Sequence, residues 1–159
     1  MLSNTVEMLR FACDESKRKG NRDEFDVDDD AFEVGHLGRI VTQKNHARLI
    51  RIFTELPHRQ LDAALVLAGD RPLLGTTRDL ARQTDIDVSI RFLRQGAETN
   101  ALYSAFGCPC LPSLYEGLPV VGIEAQMAGL SLVTSDAVNR EVAITRHVSF
   151  VPRSASDLG

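Results

Sequence analysis

The feature of this sequence that most constrains its fold is a regular alternation, after the first thirty residues, of short apolar runs with amphipathic stretches. Residues 63–68 are apolar without interruption, which is typical of a strand buried on both faces of a sheet. Residues 43–56 place Leu49, Ile50 and Phe53 at helical spacing. Strands that alternate with helices over short connections predict an α/β fold, a Rossmann-like doubly wound parallel sheet covered by helices on both faces.

The same pattern predicts the bounds of each element. In such sheets the ligand crevice lies at the carboxyl ends of the strands, so the residues that follow each strand are the candidates for a site. The predicted strands are 31–35, 63–68, 88–93, 108–111, 132–134 and 148–151, and the predicted helices are 43–56, 74–84, 97–106, 118–128 and a short one at 139–144.

Composition limits the class of protein. The chain has 159 residues, 43% of them hydrophobic, which suits a single domain. Its net charge of −4 and its scattered arginines disfavour a nucleic-acid partner. No stretch approaches the roughly 20 apolar residues of a membrane span. Three cysteines without a framework spacing indicate reduced thiols, so we expect a cytoplasmic protein.

The first thirty residues differ from the rest. They are dense in charge and poor in apolar periodicity, so we interpret residues 1–30 as a linker or lead-in segment and residues 31–152 as the domain. Within this segment, Asp26-Val27-Asp28 mimics a metal-binding Asp-x-Asp pattern. It belongs to an acidic run away from any strand exit, and we assign it no metal.

The first candidate site follows the first strand, in Gly35-His36-Leu37-Gly38-Arg39 and the nearby Lys44. A guanidinium and an ammonium beside the start of a helix suit a diphosphate, because arginine can clamp two oxygens and lysine adds a point charge. The alternative is that Arg39 and Lys44 are solvated loop charges. His36 is a possible contact for a sugar or phosphate group of a ligand, or a loop histidine without function.

The second candidate site follows the predicted strand 108–111. Gly117 leads into a helix whose first N–H groups are free, and Glu116 and Glu124 flank this turn. A carboxylate among apolar helix residues either faces solvent or accepts hydrogen bonds, and carboxylates often accept from ribose hydroxyls in doubly wound sheets. The alternative is one capping carboxylate and one exposed carboxylate.

These two segments carry a resemblance to a known family. Ser-Leu-Tyr-Glu-Gly-Leu-Pro-Val-Val-Gly-Ile-Glu-Ala, with Glu116 and Glu124 eight positions apart, resembles the paired-glutamate motif of family 4 (group 1) glycosyltransferases of the two-domain GT-B fold. Segments 34–39 with 43–46, 67–70, 91–93, 124–130 and 135–142 match in order. The resemblance is closest to enzymes of capsular polysaccharide and exopolysaccharide biosynthesis, and it implies the C-terminal, donor-binding half of a GT-B fold.

The resemblance assigns roles to individual residues. Arg39 and Lys44 would neutralise the diphosphate leaving group, Glu116 would face the donor sugar, and Glu124 would bind the ribose hydroxyls. Further donor contacts are expected at the loop and helix-start positions Gly38, Gly117, Leu118 and Val120, and beside the base at Arg91, Phe92 and Leu93.

The resemblance also implies the chemistry and the partners. We expect a retaining transfer of a hexose or N-acetylhexosamine from a UDP-sugar to a saccharide or lipid-linked acceptor, with no cofactor and no metal, since protein cations replace a divalent ion. An N-terminal acceptor-binding domain, in the same or a separate chain, would complete the enzyme. Any contact with the inner face of the membrane would be peripheral, through that domain.

Only one of the two domains is present, which leaves other functions open. Residues 153–159 correspond to a truncated C-terminal tail, and the apolar surface left uncovered predicts self-association. The alternatives are a non-catalytic nucleotide-binding or assembly module and, less favoured, a fragment of a GT-B sugar-nucleotide epimerase. Three residues depart from the family pattern near the site: Arg71, Arg94 and Pro109, of which Pro109 is expected to cause a bulge or fraying in an interior strand.

Overall fold

A computed structural model of the chain describes residues 15–56, 62–70, 72–86, 89–93 and 99–153. Its centre is a six-stranded sheet in the order β3-β2-β1-β4-β5-β6, in which every neighbouring pair is parallel. This is the doubly wound order of a Rossmann-like fold, as the sequence predicted. The strands are β1 (Phe32–Leu37), β2 (Ala63–Ala68), β3 (Ile90–Leu93), β4 (Cys108–Leu111), β5 (Leu132–Ser135) and β6 (Val148–Val151).

Helices cover both faces of the sheet. Along β2, Leu65 and Leu67 face one apolar core while Val66 faces the other, because successive strand side chains point to opposite faces. The first core includes Leu49 and Phe53 of α2, and the second includes residues of α4 and α5. The helices are α1 (Glu15–Glu24), α2 (His46–Thr54), α3 (Leu74–Gln83), α4 (Thr99–Ala105) and α5 (Val120–Met127), with 3₁₀ turns at Thr42–Lys44 and Arg140–Val142.

Two predicted elements differ from the structure around the first strand. Strand β1 continues to Leu37, two residues beyond the predicted end, because the parallel ladder with β2 runs on to pair Leu37 with Ala68. The predicted helix 43–56 is divided into a 3₁₀ turn and α2, since Asn45 has a left-handed φ of 54° between them. The short helix predicted at 139–144 is likewise a single 3₁₀ turn.

Part of the segment interpreted as a lead-in forms a helix that packs on the domain. Helix α1 lies against α4, and Phe25 and Val27, which follow it, are buried in the core. The Arg22 side chain is also buried, and its Nη1 lies within 2.9 Å of the carbonyl oxygens of Asp28 and Ala31. The pattern of apolar residues did not predict this helix, because the residue that the helix buries completely is an arginine.

Pro109 fits the interior strand β4 without interrupting it. The strand is continuous from Cys108 to Leu111, but it pairs with β1 at only two positions, Val34 with Cys108 and Gly35 with Pro109. The pairing of β1 with β2 covers six positions by comparison. The short ladder between β1 and β4 therefore accommodates the missing N–H of the proline. The sequence analysis had predicted a bulge or fraying at this position instead.

Candidate functional site

The site is built at the carboxyl end of the sheet, where the connections after β1, β4 and β5 are hydrogen-bonded to one another. The Leu114 N–H donates to the Gln43 carbonyl at 2.8 Å, which joins the loops after β4 and β1. Asn139 N–H donates to the Glu116 carbonyl at 3.3 Å, which adds the loop after β5. The topology thus brings together the two segments that the sequence singled out.

Lys44 and Glu116 form an ion pair at the centre of this rim. The Lys44 ammonium donates to Glu116 Oε1, and Ser113 Oγ donates to Glu116 Oε2 at 2.8 Å. The two charged side chains are only 15% and 13% exposed. The structure therefore joins two residues that lie far apart in the sequence, and it holds the carboxylate from both of its oxygens.

Arg39 lies at the exposed part of the rim. Its side chain is 67% exposed, and Nε lies 3.8 Å from the Asp70 carboxylate in the loop after β2. The two loops approach each other so closely that a Cβ atom on Gly69 would overlap the Gly38 carbonyl. Both glycines have positive φ values, 145° for Gly69 and 156° for Gly38. The exposed Arg39 side chain is available to a ligand. Glycine at position 38 allows the backbone conformation in which the loop after β1 approaches the loop after β2.

The second glutamate of the motif lies on α5 and contacts a tyrosine. The Tyr103 hydroxyl is 3.0 Å from Glu124 Oε2 and 3.0 Å from the Val121 carbonyl. Burial, and then the neighbouring Glu124 carboxylate, raise the pKa of the Tyr103 hydroxyl well above its usual range. Tyr103 was not among the predicted site residues. No signal in the sequence marked it beyond its position in a predicted helix.

Helix α5 begins after the loop that carries Glu116. Pro119 is its N-cap, and the first helical residue is Val120, two positions after the predicted start at 118. Gly117 and Leu118 are exposed, and a side chain on Gly117 would meet open space. The loop before α5 is therefore open to solvent at Gly117 and Leu118, and a donor contact at these positions stays a prediction.

The predicted base-contacting residues lie at the end of β3. The Arg91 guanidinium donates to the carbonyl oxygen of Asp26 at 2.8 Å and to its carboxylate at 3.0 Å. The Phe92 ring lies 5.1 Å from the guanidinium of Arg78, and the Leu93 carbonyl accepts from Gly69 N–H. The Arg91 side chain thus anchors the loop after α1, and the main-chain role of this segment beside a base stays a prediction.

Two buried histidines lie beneath the Lys44 turn, and sequence reasoning weighed only one of them. His36 lies within β1 and is buried, so it is not the loop histidine considered above; Nδ1 is 2.8 Å from the Cys110 carbonyl. The His46 ring packs edge-on against it, with 4.5 Å between ring centroids. Burial lowers the pKa of His36 to about 4 and that of His46 to about 3, so both are neutral near pH 7. Their Nε2 atoms have no hydrogen-bond partner within the described residues.

Two features, a membrane-spanning helix and a metal-binding cluster, are absent from the part of the chain that the structure describes. None of its helices is both long and apolar enough to span a membrane. In the same residues, His, Cys, Asp and Glu side chains nowhere gather in a group of three or more that could hold a metal ion.

Comparison with known proteins identifies the family. The family model described as Glycosyl transferases group 1 matches residues 17–157. The chain belongs to the group 1 glycosyltransferase family. A Bacillus subtilis protein named as the glycosyltransferase EpsF is 34% identical over 142 residues, which cover 89% of this chain and 37% of that protein. An Escherichia coli protein named UDP-Gal:alpha-D-GlcNAc-diphosphoundecaprenol alpha-1,3-galactosyltransferase is 26% identical over 140 residues, 86% of this chain and 36% of that protein.

Solved structures confirm the fold as one half of a GT-B fold. HepE of Anabaena, crystallised with UDP and glucose, superposes with a TM-score of 0.84 at 18% identity, covering 99% of this chain and 44% of HepE. The group 1 glycosyltransferase domain therefore spans about a third of the length of the curated relatives it matches and less than half of HepE.

Proposed function

We propose that this chain is the donor-binding half of a retaining glycosyltransferase that uses a nucleotide-diphospho-sugar, in particular a UDP-sugar. The observation that carries the proposal is the Lys44–Glu116 pair, which lies at the carboxyl end of the sheet beside the exposed Arg39. The names of relatives support the choice of donor, since HepE was crystallised with UDP and with UDP-glucose and the E. coli relative is named for UDP-Gal.

In the proposed reaction, a hydroxyl oxygen of the acceptor forms a bond to the anomeric carbon of the donor sugar. The bond between that carbon and the diphosphate oxygen breaks, its electron pair leaves with the diphosphate, and the proton of the acceptor hydroxyl passes to the departing diphosphate oxygen. Arg39 and Lys44 stabilise the negative charge that develops there. No metal and no cofactor take part, because the two side-chain cations supply the positive charge.

The two glutamates divide the recognition of the donor. Glu116, held by Ser113 and Lys44, faces the sugar, and Glu124 accepts from the ribose hydroxyls. Backbone groups at Gly38, Gly117, Leu118 and Val120 line the path between them, and the end of β3 borders the base.

The complete enzyme needs a second domain. We propose that an N-terminal domain, in the same or a separate chain, binds a saccharide or lipid-linked acceptor for polysaccharide biosynthesis on the cytoplasmic side. Residues 31–152 would form the donor domain and residues 1–30 the connection to the acceptor domain, with α1 of this connection packed on the donor domain. The reaction would follow the retaining course of family 4 enzymes.

Calorimetric titration of this chain tests the proposal. UDP, UDP-glucose, UDP-N-acetylglucosamine, GDP and ADP are titrated in the presence of EDTA into the wild type, Arg39→Ala and Glu124→Ala. Arg146→Ala is the matched control, because Arg146 is an exposed arginine that precedes β6, at the amino end of the sheet and so away from the rim. We expect a uridine nucleotide to bind without metal, and binding to be weakened about tenfold or more in the two rim variants but not in the control.

The opposite result favours the non-catalytic alternative. If the folded wild-type chain binds none of these nucleotides, it acts as an assembly module, and the departures at Arg71 and Arg94, which lie outside the described residues, are the first candidates for the loss.

A further inference from the structure

The Tyr103 hydroxyl is fixed in place by its surroundings. The side chain is only 1% exposed, and its ring packs edge-to-face on Phe106 at 6.1 Å between centroids. From α4 the hydroxyl reaches α5, where it is 3.0 Å from Glu124 Oε2 and 3.0 Å from the Val121 carbonyl. A buried and packed phenol has little rotational freedom, so its oxygen is a stationary point beside a half-buried carboxylate.

Two contacts among the residues that the structure describes place an acceptor within reach of the hydrogen of this hydroxyl, and these acceptors differ in strength. The Val121 carbonyl lies in the first turn of α5, where helix geometry directs the Ala125 N–H toward it. Glu124 Oε2 carries charge, and hydrogen bonds to ionised acceptors are about twice as strong as neutral ones. The Tyr103 hydroxyl therefore donates to Glu124.

We propose that Tyr103 is a positioning residue for ribose recognition: its hydroxyl holds Glu124 Oε2, which sets the direction of the carboxylate and leaves Oε1 to accept from the ribose hydroxyls. The inference rests on the proposed function, because it assigns the ribose to Glu124. Oε1 makes no hydrogen bond to any residue that the structure describes.

The physical reason for such a support is the freedom of a glutamate side chain. Three rotatable bonds separate its carboxylate from the backbone, and ordering them on binding has an entropic cost. A tyrosine that orders the carboxylate beforehand removes part of that cost. The effect is specific to the two vicinal hydroxyls, because the base and the diphosphate bind elsewhere.

The test compares two ligands that differ only in those hydroxyls, UDP and 2′,3′-dideoxy-UDP. Their dissociation constants are measured by calorimetry for the wild type and Tyr103→Phe, which removes the hydroxyl and keeps the buried ring. Ser104→Ala is the matched control, because Ser104 is a buried residue on the same helix whose hydroxyl donates to the Asn100 carbonyl and not to Glu124.

We expect Tyr103→Phe to weaken UDP binding about three- to tenfold and to change dideoxy-UDP binding less than about twofold, as for the loss of one hydrogen bond. The preference for UDP then falls by the same factor, whereas Ser104→Ala leaves it unchanged. In a Glu124→Ala background, Tyr103→Phe should have no further effect on the preference. A general loss of stability would not move this ratio, because both ligands bind the same folded state.

The remaining outcomes separate the inference from the proposed function. If the wild type prefers UDP and Tyr103→Phe keeps the full preference, the positioning role is wrong and the proposed function stands. If the wild type binds both nucleotides equally, the ribose role of Glu124 is wrong, and Tyr103 has nothing to position. If the wild type binds neither, the proposed function is overturned and the inference with it.

Discussion

At the scale of single residues, the most unusual environment is that of Glu33. Its side chain is fully buried in β1, neither carboxylate oxygen has a hydrogen-bond partner in the described residues, and the Arg22 Nε lies 3.8 Å away. Desolvation outweighs the attraction of Arg22 and raises the pKa of Glu33 to about 7. Burial of this carboxyl therefore favours its protonated form.

The consequence for stability has a definite sign. The unfolded chain releases the Glu33 proton near its ordinary value of 4.5, whereas the folded chain keeps it until about pH 7. The stabilising contribution of the protonated carboxyl is fully present below pH 4.5 and is lost as the pH rises to about 7. We expect Glu33→Gln to remove this loss and to make the protein more stable than the wild type at pH 8, by about 1–3 kcal/mol.

Urea denaturation at pH 5 and at pH 8 measures this effect. Glu24→Gln is the control, because Glu24 is an exposed carboxylate at the end of α1. An equal pH dependence of stability in the wild type and Glu33→Gln would contradict the assignment of the raised pKa to Glu33.

Substitution by alanine should change the free energy of unfolding in opposite directions at two glycines. At Gly69 an alanine Cβ would overlap the Gly38 carbonyl at a φ of 145°, so we expect Gly69→Ala to lower the free energy of unfolding by at least about 2 kcal/mol. At Gly75, the second residue of α3, a Cβ would meet open space, so Gly75→Ala should raise that free energy by about 0.4–1 kcal/mol, because alanine reduces the freedom of the unfolded chain. Thermal or urea unfolding of both variants checks the pair, and a Gly69→Ala variant that is as stable as the wild type would refute the account of the β1–β2 junction.

At the scale of elements, the attachment of α1 depends on a buried arginine. The Arg22 guanidinium lies within hydrogen-bonding distance of the carbonyls of Asp28, Asp29 and Ala31 and is 3.5 Å from that of Ala105 in α4. One side chain thus ties the helix, the turn before β1 and the opposite helix together. A hydrophobic replacement would fill the space and leave these carbonyls without their donor.

We expect Arg22→Met to lower the free energy of unfolding by about 3 kcal/mol, since it leaves buried acceptors unsatisfied. Lys19→Met is the control, because Lys19 lies on the same helix and its side chain is 73% exposed beside Asp29. Chemical denaturation gives both values. If the two variants lose the same small amount, α1 is attached by its apolar neighbours alone.

At the scale of the whole molecule, one apolar surface stands out. A cavity of about 210 Å³ opens between α2 and the strands β1, β4, β5 and β6. Cys108 and Cys110 both line it, because they are two positions apart on β4 and so lie on the same face of the strand. Phe32 and Ile52 border the same cavity and are exposed. We expect this exposed apolar surface to contribute to the self-association that the sequence predicts.

Self-association of the isolated chain stays a prediction. Sedimentation velocity over a hundredfold range of concentration tests it, and we expect the sedimentation coefficient to increase with concentration because exposed apolar area favours association. Phe32→Ser, which reduces the apolar area at the cavity, should diminish the increase. A constant monomer at the highest concentration would contradict the prediction.

The sequence by itself determined the fold class and the two segments of the candidate site. It also predicted that a ligand would bind at the carboxyl ends of the strands. Period and length distinguish buried parallel strands from amphipathic helices, and β2, β4 and β6 have the predicted bounds. The paired glutamates and the basic loop were visible because they belong to contiguous motifs. These features depend on local order along the chain, which is what a sequence displays.

Only the tertiary structure decided which side chains meet. The contact of Glu116 with Lys44, the support of Glu124 by Tyr103 and the packing of α1 through Arg22 each join residues from separate elements. Hydrogen bonds and burial of polar groups have no periodic signature, because they depend on distances across the core and not on spacing along the chain. For that reason the sequence located the rim of the site, while the fold selected the partners that hold its charged groups in place.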